Sequence, residues 1–196
     1  MTISVRPLTG EALLAALPDL ARLRIAVFRD WPYLYDGTLA YEQDYMARFG
    51  ASEGAVIVAA CDGAAIVGAA TASPMAGHAD EFAEPFRVRG ADIARIFYFG
   101  ESVLLKEYRG RGVGHAFFDA RERHARAQGG FTHAAFCGVI RPDDHPLRPR
   151  AYVPLDAFWR KRGFEKVAGL TGSFAWLDIG GTAKTDKPMQ FWMKAL

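Results

Sequence analysis

Residues 96–128, IFYFGESVLLKEYRGRGVGHAFFDARERHARAQ, constrain this chain more than any other stretch. An apolar run over 96–105 has strand length and composition and carries one carboxylate, Glu101. Arg109-Gly110-Arg111-Gly112-Val113-Gly114 follows, and a helical pattern then runs from about Gly112 to Gln128, where Gly129-Gly130 stops it. Glycines let backbone N–H groups approach a ligand without interference from Cβ atoms. A helix N-terminus turns its unpaired N–H groups and positive dipole end toward the same point. Strand, basic glycine loop and helix together predict an anion site, most simply for a phosphate.

Two dinucleotide and nucleotide patterns fail here. A G-x-G-x-x-G reading begun at Gly110 needs glycine where His115 stands, and one begun at Gly112 needs it where Phe117 stands. The next strand, 131–140, has no carboxylate for a ribose, and the Gly-Lys-Ser/Thr of a Walker loop is missing. Along the helix, Val113, Phe117, Ala120, His124 and Ala127 form the expected core side. Arg121, Glu122, Arg123 and Arg126 form the expected solvated side.

The flanking pattern predicts a strand over 2–8, then a helix from residue 9 or 10 that Pro18 divides in two. In its second part Leu20, Leu23, Ala26 and Val27 make one apolar face. The loop 28–37 is rich in aromatic residues, and a second helix spans 39–49. Strands over 55–61 and 64–73 flank Asp62-Gly63, a hairpin signal. The connection 74–94 is long, with a helical turn near 80–86, and 141–150 is too proline-rich for helix or strand. A short helix over 155–162 precedes closing strands over 164–167, 173–179 and 189–193. The order β-α-α-β-β-β-α-β-α-β-β predicts a mixed α/β (α+β) domain over 1–196, with a sheet of about seven strands flanked by helices.

Composition narrows the function classes. With 51% hydrophobic residues among 196, one compact domain with a sizeable core is expected. A net charge of +2 and no basic stripe argue against a nucleic-acid partner. No apolar segment approaches the roughly 20 residues of a membrane span, and the N-terminus lacks a signal-peptide pattern. Cys61 and Cys137 lack metal-ligand spacing, so no metal and a reduced, cytoplasmic protein are expected. Cys137 reads as a core residue rather than an acyl-carrying nucleophile. His145, in Asp143-Asp144-His145-Pro146, reads as part of its loop.

Arg109-x-x-Gly112-x-Gly114, after Val103-Leu104-Leu105, resembles the acetyl-CoA signature of the GNAT N-acetyltransferases, Arg/Gln-x-x-Gly-x-Gly/Ala. Phe158-Trp159-Arg160-Lys161-Arg162-Gly163-Phe164 is similar to that family's Phe-Tyr-x-x-x-Gly-Phe element, and the element order agrees. The resemblance implies a GNAT-like sheet and acetyl-CoA as co-substrate. It implies the pantetheine arm along Ser102, Val103 and Leu104, and the pyrophosphate on N–H groups of Arg109, Gly110, Arg111, Gly112, Val113 and Gly114. Glu101 matches the position of a general base in many family members. Burial among Phe97, Phe99 and Val103 would suit it to that role; the bland alternative makes it the partner of a nearby arginine. The tyrosine that protonates the departing thiolate is replaced by Trp159; Tyr152 is the substitute on this chain, and water or no dedicated acid is the alternative.

Trp31, Tyr33, Tyr35 and Asp36 are the expected acceptor-binding residues, flat surfaces with polar tips. Asp36, Asp143 and Asp144 would suit a cationic acceptor. The reading is therefore direct acetyl transfer to a primary amine of a small molecule or peptide. The alternative is a noncatalytic CoA- or acyl-CoA-binding sensor module. Exposed aromatics leave room for a homodimer.

Overall fold

A computed structural model describes residues 3–78 and 80–196, with the side chain of Asp80 also undescribed. The elements are β1 (Ser4–Leu8), α1 (Gly10–Phe28), α2 (Leu39–Gly50), β2 (Val56–Asp62), β3 (Ala65–Pro74), α3 (Asp80–Arg87), β4 (Ile96–Leu104), α4 (Val113–Gln128), β5 (His133–Val139), α5 (Asp156–Lys161), β6 (Glu165–Leu177) and β7 (Lys184–Ala195). The expected order of strands and helices holds, in a mixed seven-stranded sheet of order β1-β2-β3-β4-β5-β7-β6. The start of the strand expected over 2–8 falls partly outside the described residues. The Asp62-Gly63 signal makes a tight hairpin, with Asp62 opposite Ala65 and Gly63 at φ +61°.

Helices cover both faces because the sheet is apolar on both. On one face Phe97, Phe99, Phe117, Phe118, Phe164 and Trp192 join α4 to the sheet. On the other, Leu13, Leu20 and Leu23 of α1 and Met46 of α2 pack on Ile57, Ala59 and Val103.

Five expectations change, one of them Ala127, expected on the core side of α4 and exposed. Pro18 does not divide α1, which runs unbroken from Gly10 to Phe28. Leu13, Ala16, Leu20 and Leu23 keep one buried stripe through it, while Pro18 itself lies on the exposed side, where water can meet the orphaned carbonyl. Ala26 is exposed, and Arg24 takes its place on the buried face. The separate strands expected over 164–167 and 173–179 are one strand, β6, whose register against β7 shifts between Lys166 and Thr171. Arg121 and Glu122 are buried rather than solvated, because the sheet and the chain end wrap α4 further than its apolar stripe. Arg121 donates to the Phe117 and Thr71 carbonyls and lies over the Phe99 and Phe118 rings. Glu122 meets Arg162 and Lys194.

Candidate active site

Strand β4 pairs with β3 as far as Leu104 opposite Gly68, but with β5 only through Ile96–His133, Phe97–Ala134 and Tyr98–Ala135. Beyond that point β5 follows β7 instead, to Val139 opposite Met189. The sheet therefore parts, and residues 99–104 of β4 present a strand edge toward β5 with no partner strand. An unpaired extended edge holds alternating N–H and C=O groups ready for an extended ligand. Ser102 on this edge is exposed, Leu104 is half-buried and Val103 is buried.

A bulge sits where the sheet parts. Ala72 faces Phe99 and Ala70 faces Ser102, so Gly100 and Glu101 together oppose Thr71. Thr71 Oγ1 accepts the Glu101 N–H at 3.1 Å, and a Cβ on Gly100 would lie 2.4 Å from the same oxygen, so glycine is required there. The extra residue breaks the alternation of the strand and turns Glu101 to the α1 side.

The edge leads into the glycine loop. Gly110 (φ +76°) and Gly112 (φ +79°) are left-handed, and a Cβ at either would meet nothing within 4 Å. Their requirement is conformational, and the space beside them is open. Gly112 is the N-cap of α4 and makes no side-chain cap, so the first-turn N–H groups of α4 have no capping partner. Arg109 Nε donates to the Leu104 carbonyl at 3.2 Å and Arg111 Nη2 to the Glu107 carbonyl at 3.0 Å. Both arginines are exposed beside those N–H groups. Gly114 differs: a Cβ there would sit in van der Waals contact, 3.4 Å from Phe158 of α5.

Glu101 is 8% exposed. Its Oε2 meets Arg24 Nη1 at 2.9 Å, and its Oε1 is buried without a hydrogen-bond partner. Arg24 also donates from Nε to Glu42 Oε2 at 2.5 Å, and Tyr35 donates to Glu42 Oε1 at 2.8 Å. Burial alone would lower the pKa of Arg24, but Glu101, Tyr45 and Glu42 outweigh it and raise it, so the guanidinium stays charged. On the other face of the sheet, burial pushes Arg121 down to about 9 against the opposing pull of Glu101.

The aromatic loop is pinned from two sides. Arg141 binds Asp178 through both nitrogens at 3.0 and 2.8 Å and donates to the carbonyls of Pro32 (2.9 Å) and Tyr33 (2.6 Å). The backbone of residues 34–36 bonds to 177–179 at the end of β6. Trp31 packs against His145 (5.0 Å) and Tyr152 (5.9 Å), joining this loop to the proline-rich one, and its indole Nε1 is buried without a partner. Burial, together with Cys137, Tyr152 and Glu101, raises the Tyr33 pKa against the opposing pull of Arg24. Of the other residues suggested by the sequence, Tyr35 bonds to Glu42, Asp36 to Arg29 at 2.8 Å and Asp143 to Arg148, while Asp144 is exposed.

Two further groups can be placed. Trp159 packs edge-on to Phe136 and Trp192, and a Cβ on Gly138 would lie 3.0 Å from its ring, so this half-buried side chain covers the rim of the core over β5 and β7. Burial pushes the Cys137 thiol up to about 12, despite its 3.0 Å contact with the Tyr98 hydroxyl, which keeps it a protonated thiol. Among the described residues no group of three His, Cys, Asp or Glu could hold a metal ion, and no helix is long and apolar enough to cross a membrane.

The sequence pattern of the Acetyltransferase (GNAT) family matches residues 20–164. The chain belongs to that family. No curated protein matches its sequence. Among solved structures it is similar to Arabidopsis thaliana NAA60 in complex with a bisubstrate analogue, at 13% identity over 100% of this chain and 99% of that one, with a TM-score of 0.61. It is also similar to a ribosomal-protein-alanine N-acetyltransferase from Brucella melitensis, at 16% identity over 98% and 99% of the two chains, TM-score 0.61. The aminoglycoside acetyltransferase AAC(6')-Ib in complex with coenzyme A gives 16% identity over 99% and 95%, TM-score 0.59. At these identities the likeness is one of GNAT fold.

Arg24, Glu42, Thr71 and Arg121 were not among the residues singled out from sequence. A signal exists for two of them. Arg24 lies on the same helical stripe as Leu13, Leu20 and Leu23, and Glu42 on that of Met46. A charge on an apolar stripe asks for a buried partner.

Proposed function

We propose that the chain is an acetyl-CoA-dependent N-acetyltransferase that transfers the acetyl group directly to a primary amine. The observation that carries this reading is the buried, unpartnered Oε1 of Glu101 on the strand along which the sheet parts. A buried carboxylate oxygen left unsatisfied costs free energy unless a donor arrives, and an ammonium group is such a donor.

Residues 109–114 would hold the pyrophosphate on their N–H groups with Arg109 or Arg111 beside it, since one exposed helix terminus contributes only about 0.3–1 kcal/mol per charge. The edge at Ser102, Val103 and Leu104 would hold the pantetheine arm, and the left-handed Gly110 and Gly112, with open space beside them, support that placement. The acceptor would enter from the aromatic loop, with Trp31 and Tyr33 nearest the chemistry. Glu101 Oε1 takes a proton from the ammonium; the neutral amine attacks the thioester carbonyl, and a β4 backbone N–H stabilises the oxyanion. The C–S bond then breaks, the thiolate leaves as CoA and takes up a proton, and the product is the N-acetylated amine. Tyr152 or water supplies that proton. Burial raises the pKa of Tyr152, with Asp156 adding to the effect and Arg148 opposing it, so the phenol is protonated at neutral pH.

A small-molecule or peptide amine fits this site. Glu101, whose buried Oε1 has no partner, is the carboxylate that would receive the cationic nitrogen. The second reading, a noncatalytic CoA-binding sensor, is favoured by Trp159, packed on Phe136 and Trp192 where relatives of this pattern carry a tyrosine. CoA release from acetyl-CoA, measured against a panel of amino acids, peptide N-termini, arylalkylamines and polyamines, separates them. Release with at least one amine is expected. CoA binding without release from any amine selects the sensor.

A further inference from the structure

The hold on Glu101 comes from one side and passes through three residues on three other segments. Tyr35, in the aromatic loop, donates to Glu42 Oε1 at 2.8 Å. Glu42, fully buried on α2, accepts from Arg24 Nε at 2.5 Å, and Arg24 Nη1 on α1 meets Glu101 Oε2 at 2.9 Å. The guanidinium lies 4.4 Å from the Tyr45 ring centre and 5.2 Å from that of Phe28, which leaves it little freedom to turn. A buried ion triad is a weak source of stability, because desolvation offsets much of its Coulomb gain. Its geometric effect is definite: one oxygen of Glu101 is occupied and the other is free.

We propose that Arg24 is the positioning residue of the base, holding Glu101 by Oε2 so that Oε1 alone meets the acceptor amine, with Glu42 and Tyr35 fixing Arg24 in turn. This rests on Glu101 being the base. Glu42 has a second effect. It shares the guanidinium, so Arg24 does not act on Glu101 alone.

The charged and titratable groups facing Glu101 are Arg24 from α1, Glu42 and Tyr45 from α2, Tyr33 from the aromatic loop and Arg121 from α4 across the sheet. Removing the nearest cation makes Glu101 hold its proton to higher pH. Removing Glu42 gives the whole guanidinium to Glu101 and does the opposite. The two substitutions therefore act with opposite sign on the acidic limb.

The experiment is the pH profile of kcat/KM for an accepted amine in the wild type, Arg24→Gln, Arg24→Lys, Glu42→Gln and Glu101→Gln, with KM for acetyl-CoA measured alongside. In Arg24→Gln the acidic limb is expected to move up by about one unit or more. In Glu42→Gln it moves down, and Arg24→Lys returns most of the Arg24→Gln shift. KM for acetyl-CoA stays near the wild-type value throughout. If Arg24→Gln does not fold, the downward limb of the isosteric Glu42→Gln and the near-normal limb of Arg24→Lys carry the test. Limbs that coincide with the wild type, or move in the same direction, while Glu101→Gln is inactive, overturn the positioning role and leave the base in place. Full turnover by Glu101→Gln overturns the base itself.

Discussion

Gly112→Asp separates ligand binding from folding at the proposed CoA loop. Gly112 has φ +79° and ψ −5°, and a Cβ there meets nothing within 4 Å, so no clash follows the substitution. The left-handed conformation costs an ordinary L-residue about 1–2 kcal/mol, and aspartate visits it more readily than most. A carboxylate at the N-terminus of α4 returns about 0.3–1 kcal/mol through the helix dipole. Net stability should thus change by about 1 kcal/mol or less, which is a shift of only a few degrees in Tm. Binding responds differently. At about 5 Å, the new charge opposes each pyrophosphate charge by about 0.8 kcal/mol in water-like surroundings and about 3 kcal/mol at an effective dielectric of about 20. Two such charges give a loss of at least about tenfold in CoA affinity. Titration calorimetry with CoA, paired with thermal melts, reads both quantities, and Gly112→Ala supplies the backbone cost without the charge. CoA affinity in Gly112→Asp equal to that of Gly112→Ala would refute the placement of the pyrophosphate on this loop.

Other substitutions test the frame that holds the site. Pro18→Ala should stabilise the chain by about 1–3 kcal/mol in denaturant unfolding, since it restores a helix N–H at an exposed position of an unbroken α1. His78, bonded to Ser73 at 2.7 Å, has its pKa lowered by burial from 6.5 to about 4. The unfolded chain therefore binds this proton first. His78 contributes stability that is complete above about pH 6.5 and is lost as pH falls toward 4, by up to about 3 kcal/mol. His78→Gln should flatten that part of the pH–stability curve; an unchanged slope between those pH values would rule out His78 as its source. Arg141→Leu frees the Pro32 and Tyr33 carbonyls and leaves Asp178 without its two-point partner. Turnover with amine should fall by about tenfold or more through misplacement of the aromatic loop, while CoA affinity, which would depend on residues 102–114, stays near the wild-type value.

Legibility in the sequence followed the range of the interaction. The hairpin at Asp62-Gly63 and the start and stop of α4 at Gly112 and Gly129 are encoded by residues within a turn of one another, and their boundaries agree within a residue or two. The bulge at Gly100–Glu101 depends on Thr71, a strand away, and the turn of Glu101 to the α1 side could not be read along the chain. Arg121 and Glu122 look solvated by helical periodicity because their partners, Thr71, Arg162 and Lys194, lie far off in sequence. Pro18 illustrates the opposite error: its local penalty is real, but the stripe from Leu13 to Leu23 outweighs it. The partner of Glu101 was foreseeable as a type, an arginine, though Arg24 itself was hidden in a helix that reads as apolar.

Glu101→Gln keeps the size of the side chain and the backbone hydrogen bond to Thr71, yet removes the oxygen that would take the proton. The most direct measurement is its steady-state CoA release beside that of the wild type with the same amine, together with acetyl-CoA affinity by calorimetry. A fall in kcat of about a hundredfold or more at unchanged acetyl-CoA affinity is the predicted result. Full turnover by Glu101→Gln would contradict it.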